Sequence, residues 1–443
     1  MQLTEQQVLA LAPDSSSAAN GKKLMSASKW VSSGKNEQAL WGECQGSGSK
    51  PYQTQIDLTD FASKCSCPSR KFPCKHALGL LLFAASDSGQ IAASAPPEWV
   101  SAWLDKRTAT AAKKEEKAAE KAAEPFDEEA RRKRQDKREQ RVGDGLAAFR
   151  LWLEDVIRQG IAGLPAEGPA VWEQQAARLV DAQAPALAAR VRRISDLVGA
   201  ESDWPQQVLS ELGSIALAIH AWQQLPRLPD EVQSSLRQYM GFTVAEDEVL
   251  LSGTRCKDSW MLVAQTLVHD GHIRVQRNWL QGRQSGQFAL LLQFAAPSQP
   301  MPANYIPGTS FSAELACWPG AASQRALLCG TPAALPAESA FYNSESIAQM
   351  LARMSAVLAQ NPWTDRIPAV LQALTPFRDA AGNWFAADQQ GQALALLGTQ
   401  HWVWMAVSGG APLDVAGEWD GKHFLPLACM ADGCYTLLNE VHA

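Results

Sequence analysis

Apolar positions recur with a helical period in one broad stretch of the chain and with strand-like spacing in others. Phe149, Leu151, Trp152, Leu153, Val156 and Ile157 fall near a 3.6-residue repeat, as do Val208, Leu209, Leu212, Ile215, Leu217 and Ile219. Pro165, Pro169, Pro185 and Pro205 punctuate these runs. Residues 142–240 are therefore expected to be helical. The pattern then changes. Trp260 to Val268 and His272 to Leu280 are β-rich and flank Asp270-Gly271, a hairpin signal. Phe288 to Phe294 continues it. Ser344 to Gln360 returns to a helix, with Ile347, Met350, Leu351, Met354 and Leu358 on one face. The last stretch predicts short strands, with turns at Gly382-Asn383, Gly409-Gly410, Asp420-Gly421 and Asp432-Gly433. Residues 241–443 thus read as an α+β region rich in short strands.

The first third divides in two. Leu40–Cys44 and Tyr52–Leu58 predict two strands across the turn Gly46-Ser47-Gly48-Ser49, and the apolar run Ala77–Ala85 predicts a buried helix. Asp105 to Arg141 is Ala, Lys, Glu and Arg, with Phe126 almost its only apolar anchor and Pro125 splitting it. Lys113–Glu116, Lys117–Glu120 and Lys121–Glu124 are spaced i, i+3; Asp127–Arg131, Glu128–Arg132 and Glu129–Lys133 are spaced i, i+4 with the acid first. This predicts a solvated, partly helical linker over 105–141 between a small domain at 1–104 and the rest. No repeat of fixed period is present. The expectation is an α+β multi-domain protein.

Composition narrows the class. A chain of 443 residues allows about three domains. At 46% apolar and 19% charged residues it is globular, which excludes a mostly disordered chain. Nine cysteines are too few for a disulfide scaffold. Net charge is −6, but residues 142–443 hold 18 Lys+Arg against 28 Asp+Glu, whereas residues 105–141 hold 13 against 10. Basic character is concentrated early. No run approaches the ~20 apolar residues of a membrane span, and the N-terminus carries Glu5 and no basic segment before a long apolar run. The expectation is a cytoplasmic protein with reduced thiols, in which clustered Cys and His read as metal ligands.

Such a cluster exists. Cys65, Cys67, Cys74 and His76 form C-x-C-x6-C-x-H within twelve residues. Four N/S donors at this density suit tetrahedral zinc. Cys65 and Cys67, two apart, point to the same side of an extended strand. Pro68 and Pro73 bound a loop, and Pro73 suits the first turn of a helix. Copper would require some sign of redox chemistry, and an iron–sulfur cluster a fourth Cys. The competing reading is three small buried cysteines beside an exposed His.

These residues resemble the SWIM-type zinc finger, whose signature is C-x-C, a variable gap and C-x-H on a ββα unit. Pro68-Ser69-Arg70-Lys71 and Pro73-Cys74-Lys75-His76 look like its bacterial form. The resemblance covers about residues 38–86. It implies a binding module that contacts DNA or other proteins, often alongside ATPases of helicase or AAA type. A four-ligand set leaves no open coordination position, so the zinc is expected to be structural and the chain not to be an enzyme. Lys64, Arg70, Lys71 and Lys75 surround the ligands and are candidate contacts to phosphates or to a partner. A protein partner is favoured over nucleic acid, because the C-terminal two thirds are acidic.

Weaker signals yield to ordinary readings. Gly42–Lys50 has the wrong order for a phosphate loop and runs into Pro51. His269 and His272 read as surface histidines, and Cys44 as a free core thiol. Cys429, Cys434 and His423 lack a fourth ligand, and Glu418 and Asp420 have no nucleophile pattern around them.

Overall fold

The computed structural model describes residues 3–46, 50–86, 91–123, 128–270, 273–296 and 299–438. The turn residues Ser47–Ser49 and Gly271-His272, the proline at 125 and Phe126 lie outside the described residues.

The chain opens with two short helices. α1 (Glu5–Leu9) starts in a capping box, in which Gln7 N donates to Thr4 Oγ1 and Thr4 N to Gln7 Oε1. α2 (Ser15–Lys22) is capped by Asp14, whose carboxylate accepts from Ser17 N at 2.7 Å. The strands β1 (Trp30–Lys35), β2 (Ala39–Cys44), β3 (Tyr52–Asp57) and β4 (Ser63–Cys65) then form an antiparallel meander in chain order. Two of these strands were expected; β1 and β4 are additional. α3 (Lys75–Ala85) is buried from His76 to Phe83. Its apolar surround joins Val8, Trp30, Leu40 and Ile56 to Leu78, Leu80, Leu82 and Phe83. The approach of α2 to α3 is close enough to require glycine on both sides: a Cβ on Gly79 would lie 2.6 Å from Leu24 Cβ, and one on Gly21 2.9 Å from Leu78 Cβ.

α4 (Glu98–Ala123) lays Val100 and Leu104 against Ala39 and Trp41 of the sheet. Arg107 ties it further, bonding Asp57 at 3.2 Å and Asp60 at 2.5 Å. α5 (Glu128–Gln159) follows. Residues 105–141 therefore lie largely in two long helices. Of the expected charge pairs, Glu129–Lys133 closes at 2.6 Å and the others lie outside the described side chains.

After the single-turn α6 (Leu164–Glu167), α7 (Pro169–Asp181), α8 (Pro185–Leu197), α9 (Trp204–Gln223) and α10 (Asp230–Met240) pack with the C-terminal half of α5 into a bundle. Proline within the first turn starts α7, α8 and α9, where its missing N–H costs nothing. The buried stripe runs through Phe149, Leu153 and Val156 of α5 and Val208, Leu212, Ile215 and Ile219 of α9. Leu151, Ile157, Leu209 and Leu217 face outward. Successive helical residues are 100° apart, so consecutive apolar residues cannot all join one stripe.

α11 (Glu246–Ser252) leads into two β units. In the first, β5 (Thr254–Asp270), β6 (Ile273–Gly282), β7 (Phe288–Ala295), β8 (Ser310–Cys317) and β9 (Ala326–Ala334) order as β7-β6-β5-β8-β9. The sheet curls until Leu290 N in β7 donates to Gln324 O beside β9 at 2.7 Å, enclosing Trp260, Leu262, Leu280, Leu291 and Leu315. In the second, α12 (Ile347–Gln360) precedes β10 (Ile367–Arg378), β11 (Trp384–Ala387) and β12 (Ala393–Leu396), and α13 (His401–Ser408) precedes β13 (Leu413–Trp419), β14 (His423–Ala431) and β15 (Cys434–Leu437). The order is β12-β11-β10-β13-β14-β15, and β12 also pairs with β14, so five strands form a closed ring. Leu371, Ala386, Val415 and Phe424 share its core with Met350 of α12 and Trp404 of α13. The two units pack through Met261, Val263, Trp279, Val370, Ala428 and Tyr435. The α+β multi-domain class thus holds: a small strand-and-helix unit, a helical middle and a strand-rich remainder. Among the described residues no helix is long and apolar enough to cross a membrane.

Candidate metal centre

The fold gathers the four candidate ligands from three local structures. Cys65 ends β4, where register places it opposite Thr54 of β3. Cys67 lies in the loop just beyond. Cys74 is the N-cap of α3, with an extended backbone (φ −76°, ψ 166°), and His76 sits in the first turn of that helix. The Phe72–Pro73 peptide is cis. Cys74 and His76 are buried, while Cys65 and Cys67 are half-buried at the rim. The fold therefore packs one side of the centre against the core and opens the other toward the surface.

The distances match a four-coordinate ion. All four donor atoms lie within 4.8 Å of one another. Cys65 Sγ is 3.7 Å and Cys74 Sγ 4.0 Å from His76 Nδ1. Bond lengths of about 2.3 Å to sulfur and 2.0–2.1 Å to nitrogen place tetrahedral donors roughly 3.4–3.8 Å apart, so a small contraction closes the shell.

Protonation points the same way. The Cys65 thiol is held far below the thiol range, first by its hydrogen bond with Cys74, against burial that raises it, and then by His76 and Thr54. Cys74 is driven up by the same contact with Cys65, by burial and by the Cys65 charge. Burial also pushes Cys67 up. Like charges this close oppose the ionisation of all three thiols together, and a cation among them would offset that repulsion. A zinc dication provides that charge, and its bonds would join the end of β4, the loop and the start of α3.

The surroundings add two residues with no motif to announce them. Thr54 Oγ1 lies 3.2 Å from Cys65 Sγ, and the Tyr52 ring stands 5.0 Å from the His76 ring. Their signal was register: Thr54 and Tyr52 share a face of β3, and antiparallel pairing carries it opposite Cys65. Cys44 is not a fifth ligand. It is buried in the finger core, with burial and the Cys65 charge raising its thiol.

Lys64, Arg70, Lys71 and Lys75 are all exposed around the centre. Lys71 is already engaged, 2.7 Å from Asp14 at the cap of α2. Burial works to raise the Asp14 carboxyl, but the Lys71 and Ser17 hydrogen bonds outweigh it and hold it down to about 2. Lys71 and Lys75 border a cavity of about 530 Å³ between α2 and the Cys67 loop. His269 is exposed and His272 lies outside the described residues. Cys429 is buried, Cys434 is exposed, and His423 lies 3.8 Å from Asp420. Among the described residues, Cys65, Cys67, Cys74 and His76 are the one group that could hold a metal ion.

Glu418 has a structural place. It is 2% exposed and is bonded by Arg277 at 2.8 Å, Arg366 at 2.9 Å and Trp279 Nε1 at 2.7 Å. Burial would raise its carboxyl; the Arg277 bond and the two guanidinium charges hold it below the usual range.

The centre is of the zinc-finger class: a closed Cys3His set on a sheet-and-helix unit. More particularly, residues 52–85 match the SWIM zinc finger family, and residues 137–240 match the SWIM-associated four-helix bundle domain. Neither the curated proteins nor the solved structures include a match to it.

Proposed function

We propose that the chain is a non-catalytic docking protein whose zinc finger holds a protein partner, with an ATPase of AAA or helicase type as the partner class that the finger's resemblance suggests. The observation that carries this is the closed donor set beneath an exposed loop. The four protein donors would fill a tetrahedral shell around an ion, which would leave no position for a substrate. The segment between the second and third ligands stands outside, with Arg70 exposed and Phe72 47% exposed. A cation joined to residues on both sides of that loop stiffens it, and a rigid surface with one large apolar and one guanidinium side chain suits a protein hot spot. The remaining domains act as scaffold.

A second reading, nucleic-acid binding, is favoured by one observation. Lys64, Arg70 and Lys75 are exposed, and among the described residues none makes an ion pair. One experiment separates the two. The intact chain and an Arg70→Glu, Phe72→Ser variant serve as baits with cross-linking and mass spectrometry, beside a salt titration of DNA binding. Partners captured by the wild type and lost by the variant support docking. Identical capture by both contradicts it. Tight DNA binding that weakens with salt and with Arg70→Glu would favour the second reading.

A further inference from the structure

A separate cavity lies where the bundle meets both β units. It encloses about 270 Å³. Its walls are Arg190 of α8, Tyr239 of α10, the connection between β8 and β9 that ends in Arg325, and the segment Asn361–Thr364 between α12 and β10. Two arginines line it, and none of its described lining residues is Asp or Glu. This occurs within the acidic part of the chain.

The two arginines differ. Arg190 is neutralised: it grips Asp365 with two bonds, at 2.9 and 2.6 Å, and stacks over Tyr239. Arg325 lies over the Trp318 ring at 3.8 Å, and among the described residues its buried Nε has no acceptor. Burial lowers the Arg325 pKa, and only the charge of the exposed Glu246 opposes this. Trp363 Nε1, also in the wall, is a second buried donor without an acceptor. Among the described residues Arg325 makes no ion pair, and it lines the cavity together with Trp363, so an acceptor group bound there would meet a cation and an indole in the lining.

The third wall is held rigidly. Ala321 N donates to Ser235 Oγ at 2.9 Å, Gln238 Nε2 to Pro319 O at 2.5 Å, and Asn361 Nδ2 to Ala321 O at 3.3 Å. Gly320, between the anchored Pro319 and Ala321, has φ +150°, and Ala322 just beyond has φ +47°, in the left-handed region that a side chain rarely adopts. We infer that this cavity binds an oxyanion, a phosphate or carboxylate group on a small solute, with Arg325 as its cation and Trp363 as a further donor. The bound group touches the bundle and both β units at once, so its occupancy couples their stability.

Thermal unfolding of the full chain tests this. Potassium phosphate and, in a parallel arm, potassium malonate are titrated against potassium chloride at matched ionic strength. The expected result is a saturable rise in Tm in at least one arm, and the arm that responds identifies the source of the oxyanion. Arg325→Met should weaken the response at least tenfold in concentration. Ser323→Asp, which brings a carboxylate to the rim without removing a buried group, should do the same and serves where Arg325→Met does not fold. No rise beyond chloride in the wild type, or an unchanged response in either folded variant, overturns the inference.

Discussion

The finger and the second β unit solve one problem differently. In the finger, a four-stranded sheet ends at the short strand β4, and the chain leaves that edge through a loop whose one large apolar side chain, Phe72, is 47% exposed. In the second β unit, β12 pairs with β14, the ring closes, and a core of Leu371, Val415 and Phe424 fills it. The finger is not short of core either, since α3 is buried from His76 to Phe83. The ion is therefore not a substitute for the whole hydrophobic core. It holds one corner, the segment from Cys65 to Phe72, whose residues are all half-buried or exposed. A metal site can be read as local reinforcement, and the comparison says where to look for its effect.

The largest effect should follow chelation of the finger or Cys74→Ser, which removes a buried ligand. Structural zinc contributes several kcal/mol or more of folding free energy. Hydrogen exchange should accelerate across Ser63–Lys75, while the amides of Leu80–Phe83 keep much of their protection through the core around Leu78. Uniform loss of protection over residues 3–86 would show that the ion supports the entire unit.

Next is Glu418→Gln, which strikes the other region. It leaves Arg277 and Arg366 facing a neutral group and should cost about 3–5 kcal/mol, measured by urea unfolding. The sign with pH is set. The folded carboxyl lies below its unfolded value of about 4.3, so its stabilisation is complete above that value and is lost as pH falls through the lower folded one. The wild type should therefore lose part of its advantage over Glu418→Gln only at strongly acidic pH. A constant difference down to the lowest pH tolerated would contradict the assignment.

The smallest effect is at Lys71→Ala. Its pair with Asp14 is solvent-exposed on both sides, so stability should change by about 0–1 kcal/mol and shrink further in salt. A larger loss would mean that α2 and the ligand loop are coupled through this contact.

What could be read from the residues follows the physics of range. The ligand set was legible because C-x-C and C-x-H place donors by local geometry alone. The α+β class was legible from periodicity, and the helix at 347–360 from one apolar face. Other features depend on residues far apart in sequence. Thr54 meets Cys65 through strand register. Glu418 stood as an acid without a site until Arg277 and Trp279 arrived from another sheet, over a hundred residues away in sequence. Leu151 and Leu217 matched a helical repeat yet face solvent, because periodicity does not tell which face will find a partner. Closure of the second sheet through β12 and β14 had no local sign at all.

Cys65, Cys67, Cys74 and His76 should together hold one tetrahedral ion. Elemental analysis of the full chain, freshly purified under reducing conditions, tests it directly beside Cys67→Ser. One zinc per chain is expected in the wild type, and a large loss in the variant. Wild-type protein without stoichiometric metal, or a variant that keeps all of it, would contradict the account.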